Sequence, residues 1–239
     1  RDIVHMELTP TQALDYSARL RMPKDTTTSE RKKAVEDTLE DLGLSFRKDV
    51  PISKLSGGQI KRVSIGVELL TKPRLFFLDE PTSGLDPGTE YEMMKLMRRL
   101  ADQGRTIILI THATKNVMFC DRAIILAKGG NLAWFGPPEE ALIYFDGFRT
   151  DRERKEKDME FDDIYRILQD EKRGKPEEWR ERFLQSPYAK YVQPRYQQPP
   201  SQTQMAGAGR QQRGRRIGAI RQFLILSART IRCMTQDKA

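Results

Sequence analysis

At 239 residues, 38% hydrophobic and 32% charged, the chain can bury one ordinary core and still carry a sizeable solvated segment. Its two cysteines, Cys120 and Cys233, lie far apart and form no CxxC or Cys/His cluster, so the spacing suggests neither a disulfide framework nor a zinc site and fits a reducing compartment. The net charge of +8 is concentrated at one end: residues 1–147 hold 21 basic and 21 acidic side chains, residues 148–186 hold 11 and 12, and residues 187–239 hold 10 and 1, a distribution that disfavours nucleic acid and suits a cytoplasmic membrane surface.

The chain opens Arg1-Asp2-Ile3-Val4-His5 without a secretory signal and reads as an excised piece. Thr9-Pro10-Thr11-Gln12 is a capping-box pattern with proline at the first helical position, and the helix it starts stops before Pro23. Thr27-Thr28-Ser29-Glu30 is a second box, followed by Val35, Leu39 and Leu42 at helical spacing until Gly43. Ser56 opens a third helix with Ile60, Val63, Val67 and Leu70 on one face and Pro73 beyond it. Three helices in a row predict an all-α lobe.

From Leu75 the texture changes. "LFFLDE" is a short continuous apolar run of the kind found in strands buried on both faces, and "TIILITH" and "AIILAKGG" repeat it from Thr106 and Ala123. A helix over roughly Gly88 to Gln103 separates the first two. The pattern predicts a mostly parallel α/β sheet. "KGGNLAWFG" reads as an antiparallel hairpin at the sheet edge with Gly129-Gly130 as its turn, and a short helix over Pro138 to Phe145 closes the domain.

Past Phe148 the core is expected to end. "DRERKEKDMEFDD" is charge-dense and "VQPRYQQPPSQTQMAGAGRQQRGRR" is rich in Pro, Gln, Gly and Arg, so both read as mobile linker, with short helices over Ile164 to Gln169 and Glu177 to Leu184 between them. From Ile217, Ile220, Leu224, Ala228 and Ile231 recur at spacings of three and four with arginines elsewhere around the helix. That is an amphipathic helix, since its longest apolar run is only Phe223-Leu224-Ile225-Leu226.

Chemistry concentrates at three places. In Leu55-Ser56-Gly57-Gly58-Gln59 a serine and two glycines stand at a helix start, where unpaired N–H groups and the helix dipole favour an anion and glycine lets a phosphate approach the backbone. A bare capping box between Ser56 and Gln59 is the competing reading. Asp79 and Glu80 leave the end of a strand, where α/β sheets bind ligands, and can divide the tasks of holding magnesium through water and acting as base toward an attacking water. His112 follows the next strand; a lone histidine is usually structural or solvated, but one placed beside a carboxylate pair is better explained as a polar contact to a γ-phosphate and the attacking water.

"LSGGQ", "KRVSIGVELL", "LFFLDEPTSGLD" and the downstream "TH" together resemble the ATPase domain of ATP-binding cassette (ABC) transporters. "KRVSIGVELLTKP" and "LTPTQALDYSARLRMP" are most similar to the G subfamily of white-type pigment, sterol and multidrug exporters, in particular its bacterial members. The resemblance covers residues 1–147. It implies a partial P-loop NTPase (RecA-like) α/β core with an α-helical subdomain, with residues 1–72 as that subdomain, 73–147 as the C-terminal part of the core, 148–215 as linker and 216–239 as a connecting helix before a transmembrane domain. It implies ATP and Mg2+ as cofactors, Glu80 and His112 as catalytic groups, Asp79 at the metal, and Ser83, Gly84, Leu85 and Asp86 as the D-loop. Ser56, Gly57, Gly58 and Gln59, the signature motif of that family, would then address the ATP of a second ATPase domain packed head to tail, and the unaltered signature together with Glu80 favours a homodimer. The function implied is ATP-driven export of a lipid or drug-like substrate at the cytoplasmic face of the cell membrane.

No G-x-x-x-x-G-K-[ST] phosphate loop occurs: the sole Gly-Lys, Gly174-Lys175, is followed by Pro176. The expectation is therefore a fragment with half a site, inactive by itself. A soluble ABC-type ATPase or regulatory fragment not coupled to transport is the alternative. A DNA-repair or chromosome ATPase should carry a long coiled-coil insertion, and only about 15 residues separate Gln59 from Leu75.

Overall fold

The computed structural model describes residues 4–192 and 218–236. They form two compact units, one of residues 4–111 with the helix at 218–236, the other of residues 112–192.

The first unit begins with the expected three helices, α1 (Pro10–Arg21), α2 (Thr28–Asp41) and α3 (Gly57–Leu69). Each starts on a reciprocal capping box, Thr9 with Gln12, Thr27 with Glu30 and Ser56 with Gln59, so two of the orphan donors of each first turn are satisfied locally. Gly43, at φ +65°, takes the left-handed conformation that ends α2. Gly66 marks the closest approach of α3 to its neighbours: a methyl there would come within 2.6 Å of Leu42 Cδ1 and 3.2 Å of Leu14 Cδ2. Small size at that point lets α3 bury Val63, Val67 and Leu70 against α1 and α2.

Strands β1 (Leu75–Asp79) and β2 (Thr106–Ile110) pair in parallel, Leu75 opposite Thr106 and Asp79 opposite Ile110. Helix α4 (Pro87–Asp102) connects them and buries Met93, Met94, Leu96, Met97 and Leu100. Each such side chain contributes roughly 1.5–3 kcal/mol relative to exposure. One continuous core runs from Leu14 in α1 through Phe76 to Leu100, so the helical lobe and the strand pair are not separate packing units.

The structure corrects the reading of β1 as buried on both faces. Phe76 is 5% exposed, whereas Phe77, on the opposite face by the two-residue period of a strand, is 69% exposed. An apolar run reports what a strand can bury, not what covers it. The last element of this unit, α9 (Ala219–Gln236), lies against α1, with Ile225 and Cys233 packed on the core and Ile220, Phe223, Leu224, Ile231 and Met234 exposed. Among the described residues no helix is long and apolar enough to cross a membrane.

In the second unit β3 (Ala123–Ala127) and β4 (Asn131–Gly136) form the expected hairpin, turning through Gly129 and Gly130, both at φ +79°. A bulge interrupts the register between Ile125 and Leu126. The hairpin is a sheet of its own among the described residues, which corrects the expectation that β3 continues the parallel sheet. A 3-10 helix, Thr114–Phe119, precedes β3 in place of the α-helical crossover that parallel pairing uses.

The core does not end at Phe148. After α5 (Pro138–Asp146) the charge-dense segment forms α6 (Asp151–Glu156) and opens α7 (Phe161–Gln169), and α8 (Pro176–Gln185) follows, so the two short helices expected at 164–169 and 177–184 are present. Ile164, Ile167, Leu168, Trp179 and Phe183 are buried with Trp134 and Phe145, so residues 148–192 complete the core where a linker was expected. Trp134 packs at a tilt on Tyr188, ring centroids 5.0 Å apart, and Phe148 meets Trp179 edge-on at 4.9 Å. Buried Arg149 closes α6, its guanidinium donating to the carbonyls of Glu153 and Lys157 and pairing with Asp146 at 3.0 Å. Most of the expected Pro/Gln/Gly-rich linker, residues 193–217, lies outside the described residues.

Candidate functional site

The first candidate site is the start of α3. Ser56 and Gly57 are exposed and Gly58 is buried. Ser56 Oγ accepts from the Gln59 N–H at 3.4 Å, and Gln59 Oε1 accepts from the Ser56 N–H at 3.1 Å. This box uses the donors of Ser56 and Gln59 and leaves the N–H groups of Gly57 and Gly58 for an acceptor outside the helix. The Ser56 hydroxyl, while accepting one bond, still has its own proton to donate. Capping and anion binding are therefore compatible here, and the donor set at the positive end of a 13-residue helix fits a phosphate oxygen.

Gly58 faces the segment after β1. A Cβ on it would lie 2.4 Å from Thr89 Cγ2 and 4.0 Å from Leu85 Cδ2, and one on Gly57 would lie 3.9 Å from the same Leu85 atom. Gly57 and Gly58 thus lie against Leu85 and Thr89 within one unit. Thr89 belongs to this contact although the sequence reading passed over it; the signal was its place three residues after Asp86, at a helix start.

Asp86 caps α4. Its Oδ1 accepts from the N–H groups of Gly88 at 3.1 Å and Thr89 at 3.0 Å, and its Oδ2 from the Thr89 hydroxyl at 2.5 Å. The Thr89 hydroxyl, then the backbone donors, hold the Asp86 carboxyl below its usual range. Ser83 and Gly84 are exposed at the turn, with Gly84 at φ +73°.

Asp79 and Glu80 stand at the carboxyl ends of β1 and its neighbour β2. Asp79 is the last paired residue, opposite Ile110, and is exposed; the Glu80 N–H extends the ladder by donating to the Ile110 carbonyl at 2.9 Å. Glu80 is half-buried and adopts φ +47°, a left-handed conformation that a glutamate adopts at a cost of about 1–2 kcal/mol. Strain of this kind persists where the surroundings over-determine it, and it clusters at functional positions. The kink turns the two adjacent carboxylates away from simple strand alternation. An exposed oxygen donor at Asp79 suits a hard cation held through water.

His112 is exposed two residues past the end of β2 and is the first residue of the second unit. The other named site residues, Ser56 to Gln59, Asp79, Glu80 and Ser83 to Asp86, all belong to the first.

Residues 4–83 match the family model described as ABC transporter. The chain is 48% identical over 139 residues to the ABC transporter ATP-binding/permease protein Rv1747 of Mycobacterium tuberculosis, a match covering 58% of this chain and 16% of that protein. It is 39% identical over 151 residues to ABC transporter G family member 22 of Arabidopsis thaliana, covering 60% and 20%. It is 40% identical over 151 residues to the broad substrate specificity ATP-binding cassette transporter ABCG2 of Rattus norvegicus, covering 60% and 23%. The chain therefore spans less than a quarter of the length of these relatives.

Proposed function

We propose that the chain carries an ATPase-domain segment of the ABC transporter family, of the G type, and that it is the signature-bearing part of a nucleotide-binding domain in a membrane exporter of lipid or drug-like molecules. The observation that carries the reading is the start of α3, where exposed Gly57 offers a backbone donor beside the exposed Ser56 hydroxyl while buried Gly58 rests on Leu85 and Thr89.

In this reading Ser56, Gly57, Gly58 and Gln59 bind the γ-phosphate of ATP carried by a second ATPase domain, and Ser83 to Asp86 face that domain. Close approach of Gly58 to the Leu85–Thr89 segment keeps the two surfaces side by side. Asp79 would hold Mg2+, and Glu80 takes the proton of the attacking water. Mg2+ supplies neutralisation of the phosphate charge when bound. His112 is assigned to the γ-phosphate by its sequence position after β2. A homodimer is favoured because the signature and Glu80 are both present in one chain. Helix α9 would connect to a transmembrane domain at the cytoplasmic face of the membrane.

These 239 residues contain no phosphate loop, so Mg2+ATP titrated into them should show no micromolar binding and no turnover. A polypeptide joining them to a G-family phosphate-loop segment should hydrolyse ATP. Glu80→Gln in that polypeptide should keep nucleotide binding and lose turnover; retained turnover would remove Glu80 as the base. Micromolar affinity in the 239-residue chain would overturn the shared-site reading.

A further inference from the structure

Three donor atoms outside the nucleotide site converge where the segment before α1 meets the last turn of α9. His5, Glu7 and Cys233 each present one ligand atom, an imidazole nitrogen, a carboxylate oxygen and a thiol sulfur, and these atoms lie within 4.8 Å of one another. We propose that this trio is a binding site for a divalent ion of the zinc class, with water in the fourth position, and that the ion clasps α9 to the segment leading into α1.

The donor chemistry selects the metal. Zinc takes thiolate, imidazole and carboxylate at about 2.0–2.3 Å, whereas magnesium and calcium take oxygen donors. Such bonds put two ligands of one tetrahedral ion roughly 3.3–3.8 Å apart, so the trio closes on an ion by side-chain movements of about 1 Å. As the sulfur–metal bond forms, the Cys233 proton leaves to solvent.

Both carrying segments are fixed without an ion. Leu8 is buried, its N–H donates to the His5 carbonyl at 3.3 Å, and the Met6 and Leu8 carbonyls accept from Ser53 at 2.9 Å and Ile52 at 2.8 Å. In α9, Ile225 and Cys233 pack on the core and the Tyr16 hydroxyl donates to the Ala228 carbonyl at 3.5 Å. Ligands held by independently anchored elements lose little freedom on binding. His5 is exposed while Glu7 and Cys233 are half-buried, which leaves a path of entry and room for the water. The ligands come from opposite ends of the chain, so no local spacing betrays the site.

The test titrates the full 239-residue chain with Co2+ as an optical probe and then with Zn2+. One equivalent should give a thiolate-to-cobalt charge-transfer band and the visible bands of a tetrahedral ion, both abolished by Zn2+. Cys233→Ser should remove the charge-transfer band, and it, His5→Gln and Glu7→Gln should each weaken Zn2+ at least about tenfold, while Cys120→Ser changes neither. The thermal midpoint of the unsubstituted chain should rise with Zn2+ and that of folded Cys233→Ser should not. Absence of the cobalt band in the unsubstituted chain, or Zn2+ affinity unchanged in Cys233→Ser, would overturn the proposal.

Discussion

Gly58 of α3 and Thr89 of α4 approach so closely that a single methyl on Gly58 would sit 2.4 Å from Thr89 Cγ2. Thr89 is β-branched and its hydroxyl is tied to Asp86, so it cannot rotate aside without losing that bond. Gly58→Ala should therefore destabilise the first unit by about 1–3 kcal/mol, the usual cost of overpacking. Thr89→Ser removes the obstructing methyl and keeps the hydroxyl. The double variant should recover most of the loss, read as the midpoint of urea unfolding; equal destabilisation with and without Thr89→Ser would show that the contact is not the cause.

A second expectation concerns the segment after Phe148. Trp179 and Phe183 are fully buried among Trp134, Phe145 and Phe148. Trp179→Ala should cost about 3–5 kcal/mol in the second unit. Truncation after residue 147 should expose Trp134 and shift its fluorescence to the red. A chain ending there with native Trp134 emission would restore the linker reading.

The capped helices were legible because each is announced locally: Thr9, Thr27 and Ser56 stand three residues before Gln12, Glu30 and Gln59, and the pattern needs no tertiary partner. The hairpin was legible for the same reason, since only glycine readily takes φ +79° twice in succession at Gly129 and Gly130. What failed was anything settled at a distance. The charge density of residues 150–163 suggested solvation, yet the pairs Lys157–Asp163 and Arg173–Glu153 tie that stretch down while Ile164, Ile167 and Trp179 fill the core. The site residues were named from motifs; the strained φ of Glu80 and the Gly58–Thr89 contact exist only once β1 and α4 are in place.

The ion pair of Arg173 with Glu153 gives a pH dependence. Arg173 Nη2 donates to Glu153 Oε1 at 2.6 Å, and with the Thr150 cap it holds the Glu153 carboxyl down from 4.5 to about 2. Because the folded value lies below the unfolded one, the stabilisation is fully present above the ordinary glutamate range and disappears as pH falls toward 2. Asp170, bonded to the same guanidinium, is shifted the same way. Near-ultraviolet circular dichroism of the second unit should fade over that acid range, and Glu153→Gln should flatten the dependence. The pair is partly exposed, so added salt should blunt it as well.

Ser56 offers the cleanest separation between capping and phosphate binding. As N-cap of α3 it accepts from Gln59, a task that aspartate performs about as well, so Ser56→Asp should leave the unfolding midpoint within about 0.5 kcal/mol of the parent. The same change places a full negative charge beside the Gly57 and Gly58 donors, where a phosphate would otherwise sit, and like charges a few ångströms apart repel strongly once water is excluded. Ser56→Ala does the reverse: it removes the cap at a cost of about 1 kcal/mol but adds no charge. Measured in a polypeptide that also holds a phosphate loop, ATP-dependent dimerisation should therefore collapse in Ser56→Asp and weaken only modestly in Ser56→Ala. If dimerisation instead tracks helix stability, surviving in the aspartate variant and failing in the alanine one, Ser56 is a cap alone and the shared nucleotide site loses its central contact.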